Sequence, residues 1–574
     1  MIVKTYCAAV NGLEITKVTV ETSLTNGQSL TLTGLGDEAV RESLARIRTS
    51  MIHTGYKFPN RAITINLSPA NKKKEGSSYD LPISIAILAA NEVLIPSAGS
   101  TGSAGPAASA SSTSSTNEPT STGPTHEGGN GPTTTTSSNP LNDYMFLGEL
   151  GLDGSLKPIV GALPIALLAK KEKFKGIVLP KENEKEAAVV SGIDVYGMST
   201  LDEVINFIKG INTPAPLKLD INELFAQQQG KFDIDFADVK GQQQVKRALE
   251  IAAAGGHNVI MIGPPGSGKS MMAKRLPTIL PPLSLDESLE TTQIHSIAGK
   301  LNPDQSLIFQ RPFRSPHHTI SQVALVGGGT NPQPGEISLA HNGVLFMDEL
   351  PELPRSVLEV LRQPLEDRKI TISRAKYNVE YPCSFMFVAS MNPCPCGYYG
   401  DPTHQCNCTP GQISRYLSKI SGPLLDRIDI HCEIQAVPFS QLSQMQPGEP
   451  SAAIRERVVK ARKIQEKRFS DYYKSLDSSD PDYDPNSLRQ RIHCNAMMSE
   501  KMLRLFAQPD EASLDMLRMA MERLKLSARA YGRILKVART IADLDESEKI
   551  QSQHIAEAIG YRNLDRGDWA ERGN

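Results

Sequence analysis

The sequence predicts an α/β protein: a parallel-sheet core of the phosphate-loop class, a helical lid after it and a smaller α+β domain before it. Three observations lead there. A glycine-rich loop, GPPGSGKS, stands between an apolar strand pattern and a helix pattern. A second apolar strand, GVLFM, runs into the carboxylates Asp348 and Glu349, and a third, SFMFVASMN, follows it. Beyond about Val437 strand signals stop and helical periods take over, as in AIRERVVKARKIQEKRF and SARAYGRILKVARTIADL.

At 574 residues the chain exceeds what one apolar core serves, and at about 150 residues per domain it should hold three or four domains. A formal net charge of -2 excludes a broadly basic binder, so any nucleic-acid contact must come from a local cluster of Lys and Arg. The N-terminal MIVKTYCAAVNGLEI lacks a basic stretch followed by an apolar signal core, and no run approaches the roughly 20 apolar residues of a membrane span. A cytoplasmic protein with no membrane partner is therefore expected. Four of the eight cysteines crowd between Cys394 and Cys408, which does not resemble an extracellular disulfide framework.

The elements follow in order. Residues 1–212 mix strand-like and helix-like periods, interrupted at 97–140 by a tract of Ser, Thr, Gly, Pro and Ala too poor in apolar groups to offset its ordering entropy. That tract reads as a disordered insertion. Residues 213–231 read as a linker, 232–437 as the nucleotide-binding core and 438–574 as the helical lid, the last broken by an acidic loop at Asp477 to Asp484.

The loop formed by Gly263, Pro264, Pro265, Gly266, Ser267, Gly268, Lys269 and Ser270 has the chemistry of a phosphate cradle. Its glycines let successive backbone N–H groups face phosphate oxygens, Lys269 reaches the β and γ phosphates, and the Ser270 hydroxyl is a ligand for Mg²⁺. Asp348 would hold that Mg²⁺ through water and Glu349 would polarise the attacking water. ATP and Mg²⁺ are the expected cofactors. Asn392, at the end of the next strand, suits a sensor of the γ phosphate and the lytic water.

Arg427, in LLDRIDI, and Arg529, in SARAYGR, are arginines of a type common on exposed helices. Their positions nonetheless suit a finger acting on a neighbouring subunit's nucleotide and a nucleotide-sensing lid arginine, and a finger in trans implies a ring. RKITISRAKYNVEYPCSFMFV reads as two strands around a polar turn, with Arg374 and Lys376 near a tip able to grip nucleic-acid phosphates; a solvated loop is the alternative. FRSPHHTISQVALVGGG reads as a second insertion, whose paired His317 and His318 lack nearby partners for a metal site. Cys394, Cys396, Cys406 and Cys408 form C-x-C, nine residues, C-x-C. Four thiolates suit tetrahedral zinc, although C-x₂-C spacing is more usual, so zinc, unliganded reduced thiols and a redox role all stay open.

With these residues identified, the ordered chain resembles, nearly end to end, the magnesium-chelatase-like AAA+ family that includes the bacterial competence protein ComM and YifB. GLGDEAVRESLARIRTS, SPANKKKEGSSYDLPISIAIL, RPFRSPHHTIS, PGEISLAHNGVLFMDELPEL and SGPLLDRIDI carry the likeness, and the 97–140 tract is its main departure. The resemblance implies a hexameric AAA+ motor driven by ATP along branched or single-stranded DNA, a branch-migration helicase of recombination and natural transformation. A protein-remodelling or chelatase-type ATPase is the alternative. The first domain also resembles the proteolytic domain of Lon, notably in GELGLDGSLKPIVGALPIALLAKKEKFKGIVLPKENEKE. Ser78 falls where Lon has its nucleophile, but the activating lysine's position is Leu163, and without a base a serine hydroxyl is a poor nucleophile. Proteolysis is not expected.

Overall fold

Two units divide the chain: Met1–Ala9 with Thr16–Lys218, and Val10–Ile15 with Leu219–Asn574. The structure, a computed structural model, describes residues 2–74, 76–94, 139–329, 332–374, 377–401, 404–435, 448–476, 492–524, 526–562 and 564, without the side chains of Arg374 and Tyr377. Apart from Asn139 and Pro140, the tract 97–140 lies outside the described residues, as does the acidic stretch 477–484.

The first unit is built on seven strands: Ile2–Asn11 (β1), Glu14–Thr25 (β2), Leu30–Thr33 (β3), Ala62–Ser68 (β4), Tyr144–Phe146 (β5), Gly176–Pro180 (β6) and Asp194–Met198 (β7). They lie in the order β3-β4-β2-β1-β5-β6-β7. β2 and β4 are antiparallel, whereas β5, β6 and β7 run parallel. Helix Glu38–His53 starts where the Asp37 side chain accepts the Val40 N–H, closing one of the donors a helix start leaves open. Helix Asp80–Ala90 is buried on all sides, and its one carboxylate, Asp80, is held by Arg46 Nε at 3.0 Å. An apolar sequence with no polar face needs such all-round cover. Leu163, at the position the Lon comparison raises, is buried in helix Ala162–Lys171, and its N–H donates to Glu186 Oε1 at 2.8 Å.

The second unit holds a five-stranded sheet of Val259–Ile262 (β8), Phe313–Arg314 (β9), Val344–Met347 (β10), Met386–Met391 (β11) and Ile430–Glu433 (β12), ordered β9-β10-β11-β8-β12. Every pairing is parallel. β8, β10 and β11 are buried along their whole length, as central parallel strands covered on both faces must be. FRSPHHTISQVALVGGG is thus not purely an insertion. Its Phe313–Arg314 forms the sheet's edge, because Phe313 pairs with Val344 and stacks on Phe346 at 5.9 Å. Asn258, just before β8, binds the strands together: its side chain accepts the Phe387 N–H and donates to the Arg427 carbonyl, both at 3.0 Å.

Helices Ser451–Ser475, Glu511–Arg523, Ala528–Leu544 and Ser552–Gly560 realise the helical periods. They do not close a core of their own. Ile454, Val458, Ala461, Ile534 and Ile541 share one apolar cluster with Val259, Phe346 and Val388 of the sheet, so sheet and lid helices are one packing unit. Each Val, Ile or Phe side chain so buried contributes about 1.5–3 kcal/mol relative to exposure. The stretch 213–231 is also not wholly irregular, since Asp220 caps a helix at Ile221–Gln228 that buries none of its residues.

Candidate nucleotide-binding site

The loop from Gly263 to Gly268 leaves the C-terminal end of β8, an inner strand flanked by β11 and β12, and open parallel sheets bind ligands at the C-terminal ends of their strands. Its entry is anchored by the Gly263 N–H, which donates to the Met391 carbonyl at 3.2 Å. Gly266 and Gly268 have φ of +77° and +90°, a left-handed path that a side chain would strain. Helix Lys269–Arg275 follows at once.

Around this loop the predicted residues come together. Lys269 Nζ donates to the carbonyls of Gly263 at 2.7 Å and Pro264 at 2.9 Å, and to Asn392 Oδ1 at 3.2 Å. Ser270 Oγ donates to Asp348 Oδ2 at 2.8 Å, and Ser390 Oγ donates to Asp348 Oδ1. Burial lowers the Lys269 pKa below the usual ammonium value, with Asp348 and Glu349 opposing the shift. Glu349 adopts φ +50°, a left-handed conformation for a residue with a side chain, and such strain gathers at functional sites. Its carboxylate is exposed and meets His318 Nδ1 at 3.4 Å.

The loop fits a nucleoside triphosphate with Mg²⁺. Among the described residues the buried Ser267 hydroxyl has no hydrogen-bond partner, and phosphate oxygens would supply one. Lys269 spends its donors on loop carbonyls that phosphate would replace, and Ser270 and Asp348 offer the oxygen donors Mg²⁺ prefers.

The two arginines stand apart from this cluster, each with an intrachain partner. Arg427 donates to the Pro423 carbonyl at 2.6 Å and pairs with Glu366. The exposed Arg529 pairs with Asp426 at 3.2 Å. Arg533 is bound more deeply, to the fully buried Asp429 at 2.9 Å. Burial alone would raise the Asp429 pKa, but Arg533 and His257 hold it well below the carboxylate range, so this pair braces sheet against lid.

Strands Lys369–Arg374 and Tyr377–Pro382 form an antiparallel hairpin in register from Lys369 opposite Pro382 to Arg374 opposite Tyr377. Lys376 and the Arg374 side chain lie outside the described residues. The four thiols from Cys394 to Cys408 converge, with all Sγ atoms within 4.8 Å of one another.

Three residues of the site carry no clear signal in the sequence. Ser390 is an ordinary strand residue until its hydroxyl is seen on Asp348. His318 stands out in the sequence only as half of a pair. Gly397 lies against the phosphate loop, since a Cβ there would meet Pro265 Cδ at 2.7 Å. No described helix is long and apolar enough to cross a membrane.

Known proteins resemble the chain throughout. The family model for magnesium chelatase, subunit ChlI, matches residues 235–442, and that for its C-terminal part matches 448–562. A third, for subunit ChlI of Mg-chelatase, matches 20–104 and 133–183, passing over the residues between. Competence protein ComM of Haemophilus influenzae is 40% identical over 98% of this chain and 97% of its own length. YifB of Escherichia coli is 40% identical over 97% of this chain and 96% of its own. Lon protease 2 of Bacillus subtilis is 27% identical over 37% of this chain and 35% of its own.

Proposed function

The chain belongs to the magnesium-chelatase-like AAA+ family of ComM and YifB, an ATPase family that uses ATP and Mg²⁺, and on that premise we propose that it is a hexameric motor moving along branched or single-stranded DNA. The observation that carries the reading is the end-to-end likeness to a protein named for competence, which is the uptake of DNA. Recombination and natural transformation are the processes it would serve, in the cytoplasm.

The chemistry assigned to each residue follows its surroundings. Bound Mg²⁺ would offset the charge of the β and γ phosphates, held by Ser270 and Asp348. Lys269 would exchange the Gly263 and Pro264 carbonyls for phosphate oxygens while keeping Asn392 beside them. Glu349 would accept a proton from the attacking water, and its exposure leaves the carboxylate room to turn toward it on leaving His318. Arg427 would serve a neighbouring subunit, which requires it to leave Glu366, and Arg529 would respond to nucleotide by leaving Asp426. The hairpin residues Arg374 and Lys376 would hold DNA phosphates. The thiol cluster is read as a zinc site.

Tyr377, an aromatic residue at the hairpin tip, favours protein remodelling as the second reading, and the chelatase family models favour a metal-insertion motor. ATP turnover measured alone, with four-way or forked DNA, and with an unfolded protein separates them. Stimulation by DNA only supports the translocase, whereas stimulation by unfolded protein only removes it.

A further inference from the structure

Strand β11 passes the nucleotide site and ends just before Asn392; two residues later the chain enters the thiol cluster, and it leaves that cluster directly into helix Pro410–Leu417. That helix begins in a capping box, with Thr409 and Gln412 exchanging hydrogen bonds. Its buried Tyr416 returns to the site, the ring's hydroxyl end lying beside the Asn392 backbone. Both elements that hold Asn392 are therefore rooted in the same four cysteines. Gly397, inside the cluster, abuts Pro265 of the phosphate loop so closely that a Cβ would reach Pro265 Cδ at 2.7 Å.

The sulfur geometry is that of a metal site. Cys394, Cys396 and Cys406 have Sγ–Sγ separations of 3.3, 3.7 and 3.5 Å. Zinc with Zn–S bonds of about 2.3 Å at a tetrahedral angle places sulfurs about 3.8 Å apart, whereas a disulfide needs about 2.05 Å. Backbone donors already face the sulfurs. Cys408 N–H donates to Cys406 Sγ at 3.4 Å, and the backbone of Tyr398 and Asn407 lies beside the Cys396 sulfur. Donors in this arrangement offset the negative charge that four thiolates leave around a divalent ion.

We propose that Cys394, Cys396, Cys406 and Cys408 bind one zinc ion that ties the end of β11 to helix Pro410–Leu417, and thereby fixes Asn392 and the Pro265 wall of the nucleotide site. The ion sets the ATPase geometry without touching nucleotide. Without it, Gly397 no longer backs Pro265, and the two elements that position Asn392 are no longer tied together. The effect on turnover rests on the ATPase reading; the metal itself does not.

The test uses the full chain purified under reducing conditions. Zinc is measured by elemental analysis, and Co²⁺ is exchanged in to report coordination by its visible spectrum. A fluorescent ATP analogue and ATP turnover are then followed before zinc removal, after it with Mg²⁺ restored, and after Zn²⁺ is added back. Expected are about one zinc per chain, a tetrahedral thiolate spectrum for Co²⁺, and a turnover loss of about tenfold or more on removal, reversed by Zn²⁺ and not by Mg²⁺. The Cys406→Ser and Cys408→Ser double variant should lose zinc and turnover together, with unit-wide helix content retained by circular dichroism. A zinc-free, fully active protein overturns the site while leaving the ATPase reading intact. Zinc that can be removed without change in nucleotide affinity or turnover overturns the coupling, as does a removal that unfolds the whole unit. A zinc-loaded protein without ATPase activity counts against the ATPase reading and not against the metal.

Discussion

His318 Nδ1 lies 3.4 Å from Glu349 Oε2, joining a loop residue far upstream to the carboxylate at the end of the acidic strand. Both side chains are partly exposed, so the pair adds little to stability. Its consequence is positional: an imidazole beside the carboxylate restrains the turn that would bring it to the attacking water. His318→Ala should raise basal ATP turnover ~2–5-fold by freeing the general base to turn, with ATP affinity unchanged. Steady-state turnover and equilibrium nucleotide binding check this; an unchanged or reduced rate removes the restraint.

Lys269 and Glu349 should fail differently. Lys269 is bonded to the loop that would cradle phosphate, whereas Glu349 faces outward from the strand end. Glu349→Gln should bind ATP normally and hydrolyse it at least ~100-fold more slowly, while Lys269→Ala should weaken binding itself. Binding titrations paired with single-turnover hydrolysis test the assignment, and normal turnover with equal ATP affinity in both variants refutes it.

Arg427 pairs with Glu366 within its own chain, and a role in trans requires that pair to open. Arg427→Ala should assemble and bind ATP, yet lose ~10³-fold in turnover. Mixing it with Glu349→Gln protein should restore some activity at interfaces joining an intact Glu349 to an intact Arg427. Verified mixed rings with no recovery count against the trans role.

The sequence puts Arg374 and Lys376 near the tip of the hairpin of Lys369–Arg374 and Tyr377–Pro382, apart in sequence from the nucleotide loop. Replacing both by Ala should leave basal ATPase intact. DNA stimulation and strand displacement should fall together, and the log-log salt slope of duplex binding should flatten by ~0.9 for each phosphate that is no longer neutralised. Wild-type movement of branched DNA by the double variant would show that the grip lies elsewhere.

Glu287 accepts Arg311 Nη2 at 3.0 Å and the Ser284 N–H at 2.9 Å. Burial alone would raise its pKa, but the charges of Arg311 and His493 hold it below the usual carboxylate range. A depressed carboxyl pKa stabilises the fold fully above the ordinary glutamate value of about 4.3 and ceases to do so as pH falls through the lowered one. Glu287→Gln should therefore cost roughly 3 kcal/mol at pH 7, leaving the Arg311 charge without its carboxylate, and progressively less in acid. Denaturant melts across that range check the sign; a loss independent of pH would mean that the carboxylate charge is not the cause.

Local chemistry was legible from the residues alone. GPPGSGKS needs only its own glycines and the following helix to form a phosphate loop, and VLFM and MFVASM are apolar enough to be central parallel strands wherever they lie. Order along the chain then brought Asp348 and Asn392 to the same end of the sheet as Lys269, since parallel strands share their C-terminal ends. The lid helices were likewise legible from their periods, but their merger with the sheet in one core was not, because periodicity marks an apolar face without naming what covers it. It took the folded arrangement to put His318 on Glu349, Ser390 on Asp348 and Gly397 against Pro265. The fold also drew four thiols of unusual spacing to within 4.8 Å of one another. Such contacts join residues whose local sequences carry no mutual signal, and they are decided by how loops close over a packed sheet.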